Sequence, residues 1–242
     1  MRVHGSRDKK PHGVIGVTVA APGYLERTGQ AAWPRVPRSF VNQRQATAFL
    51  ALYTEEPVLG STRFVQEAGV SFGRPTVSPV PDDELPALAQ RRPDLGKWRF
   101  THVVLPFDLQ DLPSHRRYVE ANIKMTFDDP EVRSVTLSRP ASGGTREDSE
   151  IDTWGVGRHE LAWKLTPRDE RLGIRPSGRM VVAVLESPLA SDVLTGTLDA
   201  RVSISRRLLG SVSLAIAEPR QPARFALNVA DGAFEYAAPA QD

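Results

Sequence analysis

The segments WRFTHVVLPF (98–107), YVEANIKMTF (118–127) and VRSVTLS (132–138) decide the fold class. In the second, Val119, Ala121, Ile123, Met125 and Phe127 recur at every other position. On a pleated strand that spacing puts all five on one face. Asp128, Asp129 and Pro130 supply the turn into the third segment. Downstream, HELAWKLT (159–166) aligns Leu161, Trp163 and Leu165, while RMVVAVLES (179–187) is so continuously apolar that it reads as a central strand. Leu198, Ala200, Val202 and Ile204 alternate in TGTLDARVSIS, as do Val212, Leu214 and Ile216 in SVSLAIA, and Phe225, Leu227 and Val229 end the series. Turns at Pro176–Gly178, at Ser191 and Asp192, and at Gly210 leave no room for the helices that parallel crossovers need. The expected architecture is mainly β (α+β overall), an antiparallel β-sandwich whose apolar faces meet, with a closed β-barrel as the alternative. No 20-to-50-residue repeat is present.

Upstream of Trp98 the pattern changes. FVNQRQATAFLALY (40–53) places Val41, Gln45, Ala48, Phe49 and Leu52 near one helical face, with Ser39 as N-cap. A second short helix is expected over Ser61–Ala68, stopped by Gly69. A third is expected within DDELPALAQRR (82–92), acidic at its start and basic at its end, and shortened by Pro86. RPTVSPVP (74–81) reads as an extended connector. The domain expectation is a basic flexible tail (1–12), a mixed helix and loop region that packs on the sheet (13–97) and the sandwich proper (98–238).

The chain has 242 residues, 40 % of them hydrophobic and 25 % charged, which suits a folded core and excludes wholesale disorder. It contains no cysteine, so disulfide scaffolds, thiolate metal sites and thiol nucleophiles are excluded. The formal charge of +2 owes much to Arg2, Arg7, Lys9 and Lys10, which outweigh Asp8 in the first ten residues. The remainder carries −1, with Arg91/Arg92, Arg116/Arg117 and Arg206/Arg207 interspersed among acids, so a nucleic-acid partner is not expected. Arginine outnumbers lysine 26 to 5, which points to a GC-rich bacterial coding genome. No stretch approaches the ~18 apolar residues of a membrane-spanning helix. GVIGVTVAA (13–21), diluted by glycine and bounded by Pro11 and Pro22, reads as a first strand rather than a secretory leader, and the expected location is cytoplasmic.

Catalytic signatures fail in turn. The five histidines (His4, His12, His102, His115 and His159) show no metal-ligand spacing, so no metal is expected. GxSxG, GxxxxGK[ST] and GxGxxG are absent, and Gly155 and Gly157 in WGVGRHE lack a third glycine and a following helix. No catalytic residue is assigned and no cofactor is expected. Candidate binding residues are Trp33 and Trp154, neighbours of Pro34 and Gly155 in expected loops, and the acidic cluster Glu147, Asp148, Glu150 and Asp152, read as a solvated loop able to meet an arginine-rich partner.

Four segments carry a family resemblance: LAWKLTP (161–167), IRPSGRMVVAVLESP (174–188), LTGTLDARVSIS (194–205) and RLLGSVSLAI (207–216). Their strand order and Pro-Ser-Gly turn resemble the all-β accessory domains, of the peptidase-co-occurring type, in bacterial conflict systems. The resemblance implies a non-catalytic module that senses or recruits, and it assigns no functional residue. The leading functional expectation is therefore a non-enzymatic protein-interaction or accessory module that binds another protein, its oligomeric state open. One alternative is an enzyme with dispersed groups such as His102, His115 or His159 acting with acids of the 147–152 loop. The other is a carbohydrate- or lipid-binding sandwich that uses Trp33 or Trp154.

Overall fold

The computed structural model describes residues 48–59, 61–85, 87–90, 92–142, 149–176, 178–208 and 211–237. Expectations that fall on the basic tail, on 13–21, on Trp33 and on Glu147 and Asp148 lie outside these residues.

Thirteen strands occur among the described residues: β1 (Ala48–Val58), β2 (Ser61–Phe72), β3 (Thr76–Pro79), β4 (Trp98–Leu109), β5 (Arg116–Phe127), β6 (Arg133–Ser142), β7 (Ser149–Trp154), β8 (Glu160–Pro167), β9 (Gly178–Pro188), β10 (Val193–Leu208), β11 (Ser211–Ala217), β12 (Ala223–Asn228) and β13 (Phe234–Ala237). They form two open antiparallel sheets. One has the order β1-β2-β4-β9-β6, with β3 also on β4; the other has the order β13-β12-β10-β5-β8-β7, with β11 also on β10. Neither sheet closes on itself, so the sandwich holds and the barrel alternative does not. Single bridges, Tyr53 to Glu218 and Ser134 to Val156, join the sheets at their margins.

Inward residues of both sheets make one core. Leu161, Trp163 and Leu165 meet Ile123, Met125 and Phe127 there, together with Leu198, Val202 and Ile204 of β10. Trp163 is 1 % exposed. Aromatic rings fill one part of it: Phe127 stands edge-on to Phe225 at 5.6 Å, and Phe225 stacks on Phe234 at 5.5 Å. Both arrangements suit the ring quadrupole. As expected from its continuous apolar run, β9 is central, paired with β4 on one side and β6 on the other.

Two helices expected upstream are strands. Residues 48–53 belong to β1, and Ser61–Ala68 opens β2, the two paired as a hairpin from Ala48↔Phe72 to Val58↔Ser61. Leu50, Leu52 and Thr54 face inward at the two-residue period, and this long-range pairing overrides local helix propensity. Gly69 lies mid-strand rather than at a helix end. A Cβ there would meet the Phe49 ring at 2.4 Å, so the missing side chain lets that ring lie across the strand. The supposed connector contains β3, paired with β4 from Thr76↔Val104 to Pro79↔Thr101. The third helix is reduced to a 3-10 turn at Asp82–Glu84 and the single turn α1 (Ala87–Gln90) on either side of Pro86. The missing N–H and the ring of proline account for that break.

The described residues between Val80 and Trp98 cover the outer face of the first sheet. Val80, Leu85 and Ala89 bury Phe100, Val135 and Val184 in a second, smaller core. Arg92 anchors this cover: its guanidinium lies 4.0 Å from the Trp98 ring centre and pairs with Glu186 at 2.8 Å. Trp98 Nε1 donates to Asp94 at 3.0 Å and holds that carboxyl below its usual range, with Arg92 adding to the effect.

His102 shares the β4 face of Phe100 and Val104 and is buried. Desolvation lowers its pKa to about 4 from 6.5. The unfolded chain therefore binds the extra proton first, and stability that is complete above pH 6.5 is lost as pH falls toward 4. At 1.36 kcal/mol per pKa unit the loss is about 3 kcal/mol. Burial raises the Asp199 carboxyl and gives a contribution of opposite sign. The comparison that isolates the histidine is therefore His102→Gln, whose denaturant-derived stability should fall about 3 kcal/mol less over pH 6.5 to 4. Parallel pH curves for the two proteins would disprove the assignment.

Candidate functional site

Trp154 ends β7, and the chain then turns through Gly155–His159 into β8. Gly155 has φ 111° and Gly157 has φ 78°, both left-handed. At Gly155 a Cβ would lie 2.1 Å from the Glu160 carbonyl oxygen, so glycine is required by contact as well as by φ. These two glycines, which fail as a phosphate cradle, instead fold Arg158 and His159 back beside Trp154.

The turn is laced to the start of β6. Ser134 N donates to Arg158 O at 3.1 Å, Gly157 N donates to Ser134 O at 2.8 Å, and Ser134 Oγ donates to Gly155 O at 2.6 Å. Arg158 N donates to Gly155 O at 2.9 Å, and Phe127 N to His159 O at 2.9 Å. Arg133, next to Ser134, donates through Nε to Pro130 O at 3.2 Å. An open cleft of about 470 Å³ results, lined by Pro130, Arg133, Trp154, Arg158, His159 and Glu160 with Gly157. Glu160 is held by Lys124 at 2.9 Å.

The structure thus brings Trp154 and His159 into one cleft, which the other described candidates do not line. His102 is buried in β4 and His115 is exposed before β5. Glu150 and Asp152 lie on β7, not in a loop, because the strand pairs with β8 from Ser149↔Pro167 to Trp154↔Ala162. Both are exposed, and Asp152 stands opposite Lys164. Among the described residues no group of three His, Asp or Glu side chains is placed to hold a metal ion.

A second surface was not legible. Val212, Leu214 and Ile216, expected to face the core, are 62 %, 69 % and 50 % exposed. The reason is register: β11 sets Ala217 opposite Val202 and Ala215 opposite Ile204. Directly opposed residues share a face. Since Val202 and Ile204 point inward, the two alanines follow them and the three larger side chains point out. Their cross-strand neighbours include Ser203 and Ser205. Beyond β10, the described backbone joins β11's margin only through Tyr53 N to Glu218 O at 2.8 Å and Glu218 N to Tyr53 O at 3.1 Å.

No protein-family model matches the chain, and no curated protein is significantly similar to it. Among solved structures it is similar to the Clostridium perfringens delta-toxin, at 8 % identity and TM-score 0.41 over 78 % of this chain and 92 % of that one. It is also similar to the Clostridium perfringens NetB toxin in the membrane inserted form, at 7 % identity and TM-score 0.36 over 78 % and 99 %. Identities and scores this low carry no functional argument for this chain.

Proposed function

We propose that the protein is a non-enzymatic interaction module, an accessory component of a cytoplasmic bacterial conflict system, that binds another protein on the outer face of β11. The observation that carries this reading is the apolar stripe of Val212, Leu214 and Ile216, which stands in solvent on a strand without a single charged residue. Covering a Val, Leu or Ile side chain is worth about 1.5–3 kcal/mol, so a partner that seals the stripe gains several kcal/mol from three residues. Contiguous exposed aliphatic surface of this kind marks protein contacts. An edge strand lets the partner add backbone hydrogen bonds as well.

The test places a photo-crosslinking amino acid at position 214 of the full chain in its own cell, and another at exposed Leu172 as control. The expected result is a discrete protein adduct from position 214 alone, lost when Val212 and Ile216 are both changed to Ser. Equal adducts from both positions, or none from 214, would overturn the proposal. So would hydrolytic or metal-dependent turnover that a single histidine or acid substitution abolishes.

A further inference from the structure

The cleft at Trp154 is a separate feature, at the β7–β8 turn rather than on β11, and it has a chemistry of its own. Several guanidiniums elsewhere are spent on carboxylates: Arg92 pairs with Glu186 at 2.8 Å, Arg99 with Asp192 at 2.8 Å and Arg224 with Asp128 at 2.8 Å. Arg133 and Arg158 differ. Among the described residues neither makes an ion pair, and both line the same cleft. The acid beside them, Glu160, is engaged by Lys124. The cleft is therefore cationic, with guanidinium donors left over.

Its floor is preorganised. Arg158 is fixed through both its backbone N–H and its carbonyl, and Arg133 through Nε, so their stems start from set positions. Trp154, 41 % exposed, offers an indole surface in the same depression. A planar guanidinium pairs with a carboxylate or phosphate through parallel hydrogen bonds, and an aromatic face takes a ring by stacking. The cleft is open, which suits a group projecting from a larger molecule better than a small molecule that must be enveloped.

We infer that the Trp154 cleft binds an oxyanion carried next to an aromatic ring, with the ring on Trp154 and the anion between Arg133 and Arg158. Carboxylate and phosphate share this chemistry, and the probes distinguish them.

The experiment titrates the full chain at low salt with phenylacetate, phenyl phosphate, inorganic phosphate and phenol. It follows the Trp154 indole N–H signal by NMR, assigned with Trp154→Phe. At least one ring-bearing anion is expected to shift that signal and to bind at least about tenfold more tightly than inorganic phosphate or phenol, because each lacks one of the two contacts. The stronger of the two anions identifies the source as a carboxylate or a phosphate. Arg133→Gln and Arg158→Gln should each weaken binding about tenfold, the loss of one charge-assisted hydrogen bond. Added salt should weaken binding of the parent chain. Leu214→Ser should leave it unchanged, which separates this site from the β11 surface. Three results would overturn the inference: no indole shift with either anion, phosphate alone binding as tightly as the ring-bearing forms, or undiminished binding in the folded Arg133→Gln/Arg158→Gln double variant.

Discussion

Trp163→Ala is expected to cost about 3–5 kcal/mol of stability, the range for removing a large aromatic from a packed core. The site predicts the upper part of that range. Trp163 is opposite Ile123 on β5 and Thr153 on β7, so it lies in the central strand of three. Deleting the indole leaves a void lined by residues that two sheets hold in place and that collapse only partly. A domain of this kind has about 5–15 kcal/mol to lose, so the variant should unfold at much lower denaturant with a similar m-value. Trp163→Phe retains most of the volume and should lose clearly less. A measured loss below about 1 kcal/mol for the alanine variant would mean that this position is not a packing centre.

Glu67→Ala should cost about 2–3 kcal/mol at neutral pH, through charge rather than volume. Glu67, on β2 of the first sheet, has a side chain only 3 % exposed and lies between two arginines of the second sheet. Arg116 of β5 contacts one of its oxygens, and Arg206 of β10 reaches the other at 2.5 Å. The two guanidiniums are 26 % and 21 % exposed. Water therefore screens part of what they lose, which places the expected cost below that of a fully buried pair. Their Nε atoms are already buried without a hydrogen-bond partner, so removing the shared carboxylate leaves two cations with still less compensation. A combined Glu67→Leu/Arg116→Met/Arg206→Met variant should recover most of the loss, since replacing all the charges removes the desolvation penalty with the pairing. If the triple variant were as unstable as Glu67→Ala, packing rather than charge would explain the effect.

The apolar alternation from Trp98 onward was sufficient for the mainly β, antiparallel sandwich, and the inward sets of β8 and β10 were legible residue by residue. On β5 Ala121, Ile123, Met125 and Phe127 face the core as expected, but the register shift opposite Ser203 and Ile204 puts Tyr118 there in place of Val119. Upstream, local propensity misled. FLALY has good helix formers, and its pairing partner, residues 66–72, carries Gln, Glu, Gly and Ser beside its apolar residues. Nothing in a short window announces that the two will form a hairpin. β7 was hidden for a similar reason: SEIDTW is a half-exposed edge strand whose acids read as loop. At the cleft, Trp154 was visible as an exposed aromatic, but Arg133 was not. It lies 21 residues away, and only the lacing of Ser134 to the Gly155–Arg158 turn places it beside Trp154.

What the sequence determined by itself is the period of the strands and hence the class of the fold, because a two-residue alternation permits only one face to be buried. The tertiary structure decided which face that is at the margins. In SVSLAIA either face could have been buried as far as alternation goes, and the larger side chains favour the wrong one. The inward direction of Val202 and Ile204, transmitted through the β10–β11 register, turned Ala215 and Ala217 to the core and left Val212, Leu214 and Ile216 in solvent.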